Sequence, residues 1–286
     1  MYHIKIFIEL TRLNKPIGFM LLFWPCSWGL AYAYLNNQNH SKFFYYLILF
    51  FFGSILMRSA GCIFNDIVDR DYDKKVQRTK NRPIASGKIS VGHSLVYVIS
   101  LCSIAFFVLI QFNLLTIILG MASMILAFSY PFMKRITYWP QLFLGITFNW
   151  GIILAWSAIN NGLSHEIIIL YLSAIFWTLG YDTIYGAQDM SDDEIIGLKS
   201  TSLKFKKNIG LFVSICYFIF ITLITYLFHS YFGSNIFTFF LVLFVISLIY
   251  QLIKLKRDKS ENYLKLFKFN NYTGFFLFLS IFSINL

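Results

Sequence analysis

Predominantly apolar stretches of roughly 17 to 22 residues recur from one end of the chain to the other, and each is long enough to cross about 30 Å of hydrocarbon as a helix. They fall near residues 17–35, 43–63, 93–112, 114–130, 141–159, 165–182, 209–229, 234–253 and 270–286. Of 286 residues, 58% are hydrophobic, 20% aromatic and only 13% charged, too apolar for water to be the main solvent. The strict alternation of a membrane β-barrel is missing, and the runs are about twice as long as a barrel strand. The expectation is an all-α integral membrane protein: one transmembrane domain over residues 1–286, built from about nine helices.

Cys26, Cys62, Cys102 and Cys216 stand singly inside apolar runs. Without a C-x-x-C pair they suggest neither a zinc site nor a disulfide framework, and they read as small buried hydrophobes. The segment from Met1 to Lys15 is basic, contains Glu9 and few serines, and leads into a span without a small-residue cleavage site. That pattern predicts neither a cleaved secretory signal nor a mitochondrial transit sequence, and points to a bacterial inner membrane.

The basic residues report orientation. Of 24 Lys and Arg, 22 fall at 1–16, 64–92, 131–140, 183–208 and 254–269, leaving only Lys42 and Arg58 elsewhere. By the positive-inside rule the N-terminus and the long connections face the cytoplasm, and an odd number of spans puts the C-terminus outside. The net charge of +11 is therefore mainly a topology signal, and nucleic acid is not an expected partner.

The acids are concentrated. Of thirteen Asp and Glu, four lie within residues 65–73 and five within 182–194, each set following a span and opening a long cytoplasmic connection. Asp69 and Asp189, like Asp73 and Asp193, are 120 positions apart, a faint sign of internal duplication. If the helix continues, Asn65, Asp66, Asp69 and Asp73 share an arc of roughly 100°, and Asp182, Asp189 and Asp193 one of about 40°. Carboxylates one turn apart repel unless a cation lies between them. Oxygen donors without His or Cys suit Mg²⁺, which takes one or two carboxylates and completes its shell with water and phosphate. Lys74, Lys75, Arg78 and Arg82 follow the first cluster, and Lys199 and Lys206 the second. Metal-holding carboxylates beside Lys and Arg are the parts needed to grip a diphosphate and stabilise it as it leaves. Solvated loop charges paired among themselves would be the ordinary reading of such a segment. Here the acids abut apolar spans, where ionisable groups are costly and tend to be functional, and Arg58 lies about two turns inside the second span.

These residues resemble the membrane-embedded aromatic prenyltransferases of the UbiA family. Its N-D-x-x-D-x-x-x-D signature is matched by Asn65, Asp66, Asp69 and Asp73, continuing through Arg78-Thr79 and Arg82-Pro83 to Ser86-Gly87. Its second signature is matched by Tyr181-Asp182-Thr183, Tyr185, Asp189, Asp192-Asp193, Gly197 and Lys199-Ser200-Thr201. Arg12 to Gly18 and Tyr130-Pro131 with Lys134-Arg135 add to the match, which runs from about residue 12 to 205 and agrees thereafter only in hydropathy. Gly186 and Ser202 stand where the family more usually has Ala.

The resemblance implies a bundle of nine spans around a central cavity, with Mg²⁺ held by Asp66, Asp69, Asp73, Asp182, Asp189 and Asp193. It implies diphosphate contacts from Asn65, Lys74, Arg78, Arg82 and Lys199, and a polyprenyl diphosphate donor. An aromatic acceptor would bind beside it, the motif wording favouring 4-hydroxybenzoate and a step of ubiquinone biosynthesis. Candidates to hold the acceptor carboxylate are Arg12, Arg58 and Arg135, since a guanidinium pairs bidentately with a carboxylate. Relatives acting on dihydroxynaphthoate, homogentisate or a porphyrin are the alternatives within that chemistry. A secondary transporter is the alternative outside it, disfavoured because the acids gather at one membrane face rather than at the midplane.

Overall fold

The computed structural model describes residues 2–35, 40–257 and 262–284; the side chains of Tyr2, His40, Lys256 and Arg257 lie outside that description. Among the described residues the regular structure is entirely helical. The helices are α1 (Tyr2–Thr11), α2 (Ile17–Ala33), α3 (His40–Val68), α4 (Arg70–Asp73), α5 (Val91–Leu109), α6 (Leu114–Ile136) and α7 (Pro140–Asn160). They continue with α8 (His165–Gly186), α9 (Met190–Ile196), α10 (Thr201–Lys204), α11 (Ile209–Phe228), α12 (Ile236–Arg257) and α13 (Tyr263–Ser283).

Seven of the described helices are long and apolar enough to cross a membrane. With the shorter apolar α2 and the more polar α13 they account for all nine expected stretches, so the chain is a multi-pass membrane protein. The ends are set by local chemistry. Ser90, Asn113 and Ser164 cap α5, α6 and α8 by accepting backbone N–H bonds from His93, Thr116 and Ile167. Asn161, at φ 48°, ends α7, and Gly197, at φ 74°, ends α9.

The nine long helices follow one another around a closed ring, α13 returning to α2. Trp24 Nε1 donates to Asn271 Oδ1 and Trp28 Nε1 to the Gly274 carbonyl, each at 2.9 Å, which fastens that closure. The ring is bridged by a tight contact between α2 and α7. A Cβ on Gly29 would lie 2.6 Å from the Ile152 carbonyl oxygen, and one on Gly151 would lie 2.3 Å from Cys26 Sγ. Small residues let backbones approach in lipid, where no hydrophobic effect drives helices together.

The bridge separates two unlike halves. On one side α2, α7, α8, α11, α12 and α13 pack into a solid core containing the buried Trp28, Trp177, Phe220 and Phe244. Trp28 and Trp177 lie 4.9 Å apart, and Phe220 meets Phe244 edge-on at 5.2 Å. A buried polar network ties it together: Asn270 accepts from Trp177 Nε1 and donates to Gln251, which also accepts from Tyr217. On the other side α2, α3, α5, α6 and α7 enclose a cavity of about 1580 Å³, roofed by Phe106, Phe107, Phe112 and Met121 and reaching the aspartates at its polar end.

Candidate active site

The helix carrying the first acidic motif does not run straight through it. α3 stops at Val68, Asp69 leaves helical geometry (φ −91°, ψ 3°), and α4 begins at Arg70. The expected single arc is therefore bent at Asp69, although Asp69 N–H still donates to Asn65 O at 2.9 Å and Asp73 N–H to Asp69 O at 2.8 Å. The second motif breaks likewise. α8 ends at Gly186, Asp189 sits at the start of α9, and Asp193 N–H donates to Asp189 O at 2.8 Å. Both breaks have one cause: the turn that brings the carboxylates together also ends the membrane span, and a continuous helix would carry them away from the cavity.

Every aspartate of the first motif is buried and met by a cation. Asp66 Oδ1 accepts from Arg12 Nη2 at 2.6 Å and from Arg82 Nη1 at 3.0 Å, and the same Arg82 nitrogen reaches Asp73 Oδ2 at 2.8 Å. Asp69, fully buried, accepts from Lys134 Nζ and lies 3.4 Å from Arg135 Nη2. Arg135 also donates to the Val68 carbonyl at 2.7 Å and covers the Tyr72 ring at 4.9 Å. In the second motif Asp189 accepts two parallel bonds from Arg78, both 2.7 Å. Asp182 and Asp193 enter no ion pair with a described residue, and both line the cavity. Burial first, and then the negative charge of Asp189, push the Asp193 carboxyl up to about 6. Burial also raises Asp73, against the opposing charge of Arg82.

The Lys199-Ser200-Thr201 segment is a clamp. Lys199 N–H donates to Lys134 O at 2.8 Å, Thr201 N–H to Gln141 Oε1 at 2.9 Å, and the Thr183 and Thr201 hydroxyls bond at 2.6 Å. The second motif is thereby held against α6, α7 and α8.

Sequence-predicted residues divide accordingly. Asn65, Arg78, Arg82, Lys199 and all six proposed metal-binding aspartates line the one cavity. Lys74 does not: it turns to Asp71 at 3.0 Å on the exposed side of the loop, because the bend at Asp69 points that turn outward. Lys199 Nζ itself is drawn to the Ile136 carbonyl at 3.1 Å. Arg12 and Arg135 are committed to Asp66 and Asp69. Arg58 is different. It faces the cavity within α3, stands 5.2 Å over the Phe148 ring and enters no ion pair with a described residue, and its buried Nε, like that of Arg135, has no hydrogen-bond partner among the described residues. Gly18 makes room for it, since a Cβ there would come within 2.9 Å of that Nε. Lys134 was not singled out from the sequence as a site residue, although it sits beside Arg135 at the basic end of a span.

Among the described residues no three His, Cys, Asp or Glu side chains form a ready-made metal cage. The donor set still suits Mg²⁺: oxygen only, one or two carboxylates available from each motif, and remaining positions for water and phosphate.

A polytopic helical bundle with two acidic turns and their cationic partners at the polar end of a largely apolar cavity defines a membrane protein with the parts to hold an anion beside an apolar chamber. The chain belongs to the UbiA prenyltransferase family, which it matches over residues 22–279. It is 48% identical over 205 residues to the mitochondrial 4-hydroxybenzoate polyprenyltransferase of Rattus norvegicus, covering 71% of this chain and 54% of that one. The chain thus spans about half the length of the curated relatives it matches. Its fold superposes on the apo structure of a UbiA homolog from Aeropyrum pernix K1 with a TM-score of 0.76 at 22% identity, covering 90% and 94% of the two chains. A UbiA homolog from Archaeoglobus fulgidus bound to GPP and Mg²⁺ gives a TM-score of 0.73 at 18% identity, covering 98% and 100%.

Proposed function

We propose that the protein transfers a polyprenyl group from polyprenyl diphosphate to the ring carbon ortho to the hydroxyl of 4-hydroxybenzoate, releasing diphosphate, as a step of ubiquinone biosynthesis. The observation that carries this reading is the convergence of both Asp-rich turns, with Arg78, Arg82 and Lys134 between them, on the polar end of a large apolar cavity that also contains Arg58. The names of the curated relatives support the acceptor.

Asp66, Asp69 and Asp73 on one side and Asp182, Asp189 and Asp193 on the other are the residues to hold Mg²⁺, which when bound supplies charge neutralisation to a departing diphosphate. Asn65, Arg78, Arg82, Lys134 and Lys199 donate to the diphosphate oxygens, stabilising the charge that grows as the allylic C–O bond breaks. The apolar walls hold the prenyl tail and keep water from the allylic cation, and an aromatic face such as Phe128, packed on Phe64 beside Asn65, lowers its energy. Arg58 pairs with the acceptor carboxylate and aims the ring at that cation. A new C–C bond forms at the ortho carbon, the ring loses the proton from that carbon, and aromaticity returns. Basic segments flanking the site support a cytoplasmic position for the Asp-rich ends.

The test uses purified protein with Mg²⁺, 4-hydroxybenzoate and a long-chain polyprenyl diphosphate, with prenylated product followed by mass. Product should appear, and should vanish with EDTA and in Asp69→Ala or Asp189→Ala. Diphosphate consumed without aromatic product would mean another acceptor; folded protein that neither binds nor consumes it would sink the reading.

A further inference from the structure

Gly61 is a membrane-helix glycine on the cavity face whose presence neither packing nor backbone geometry accounts for. It lies on α3 three residues after Arg58 and four before Asn65, and all three line the cavity. At the rise of a helix, Arg58 and Asn65 are about 10 Å apart along the axis, with Gly61 between them. A glycine inside a helix is unfavourable relative to alanine, so it calls for a reason. For five other glycines of the bundle the reason is close contact: a Cβ on Gly29, Gly145, Gly151, Gly180 or Gly274 would lie 2.3–3.1 Å from a neighbouring helix. A Cβ on Gly61 would meet nothing within 4 Å. Nor is its backbone left-handed, for the only positive-φ glycines among the described residues are Gly87 and Gly197. What the missing side chain leaves is open cavity, on a bare strip of backbone midway between an arginine and the diphosphate end of the site.

We propose that Gly61 is a specificity-determining residue, the floor on which the planar aromatic acceptor lies flat against α3. This rests on the function proposed above. The acceptor's para geometry places its carboxylate and its hydroxyl at opposite ends of the ring, and the strip offers a matching polarity. Arg58 lies at one end, for the carboxylate; Asn65 and Asp66 lie at the other, where the allylic carbon is held. A side chain at 61 lifts the ring off the backbone, separating the carboxylate from Arg58 and the ortho carbon from the cation.

The experiment measures three quantities on wild type, Gly61→Ala and Gly61→Val: KM for 4-hydroxybenzoate, binding of geranyl diphosphate with Mg²⁺, and the thermal midpoint. Because an added Cβ meets open space, the midpoint of Gly61→Ala should hold or rise. KM for 4-hydroxybenzoate should rise about tenfold in Gly61→Ala and about a hundredfold in Gly61→Val, while donor binding stays within about twofold. Unmoved KM in both variants overturns the proposal, as does a parallel loss of donor binding at an unchanged midpoint. If Gly61→Val does not fold, Gly61→Ala decides alone. Wild-type protein that binds the donor yet leaves 4-hydroxybenzoate untouched refutes the acceptor itself and this proposal with it. Wild-type turnover with unmoved KM in the variants refutes this proposal only.

Discussion

Arg78 grips Asp189 through two parallel hydrogen bonds of 2.7 Å each, joining residues 111 positions apart and tying the connection after the first acidic motif to the second. Only a planar guanidinium makes this fork. Arg78→Lys keeps the charge and loses the geometry. Its kcat/KM should fall about a hundredfold, the scale of removing one preorganised donor. Since Arg78 is half exposed, the thermal midpoint should scarcely move. A variant with wild-type kcat/KM would show that the fork has no part in catalysis.

Asp69 is fully buried and receives both Lys134 and Arg135, so replacing it strands two cations. Each cation keeps about a third of its surface in contact with solvent, which limits the penalty. Asp69→Ala should cost about 2 kcal/mol of stability, less than the cost of breaking a wholly buried pair. Thermal unfolding in detergent measures it, and double replacement with Lys134→Met should recover part of the loss.

The Asp193 carboxyl, raised to about 6 by burial and by Asp189, must lose its proton to hold a metal. Below pH 6 the proton competes, so affinity for Mg²⁺ with geranyl diphosphate should fall by up to about tenfold per pH unit, and level off above about pH 7. The effect on the metal-free fold has the opposite sense. A raised carboxylate pKa favours the protonated folded state, so this group's contribution worsens as pH rises through about 6. Titration calorimetry from pH 5 to 7.5 would expose a flat affinity, which this account forbids, and Asp193→Asn should flatten the acid limb.

Gly29→Ala should behave opposite to Gly61→Ala. Its Cβ would press on the Ile152 backbone at 2.6 Å, where nothing flexible can yield. A loss of about 1 to 3 kcal/mol, the usual cost of overpacking, should appear as a lowered thermal midpoint. Activity per folded molecule should survive, because Gly29 lies outside the cavity lining.

Much of this architecture was legible in the residues. Helix positions follow from apolar run length, because lipid leaves a backbone few alternatives. The acidic motifs stood out because charge next to a span is costly. Other features were hidden. Helical spacing says which residues share a face but not what they face, so Lys134 against Asp69 and Arg78 against Asp189 had no signature in either local segment. The breaks at Asp69 and Asp189 were concealed because Asp is compatible with both a helix turn and a helix end. Arg58 could be recognised as misplaced in an apolar run; that Arg12 and Arg135 are taken up by Asp66 and Asp69 while Arg58 pairs with no described carboxylate depends on how the helices come together.

The α2–α7 bridge has an evolutionary consequence. The half of the bundle that secures folding, with its tryptophans and paired amides, is not the half that encloses the chamber. α5 and α6, the spans with the smallest share of residues buried in the protein, form much of the chamber wall. Substitutions there can reshape the chamber while the solid half keeps its packing. The scaffold is free to change the shape of what its chamber admits in small steps without first finding a new way to stand.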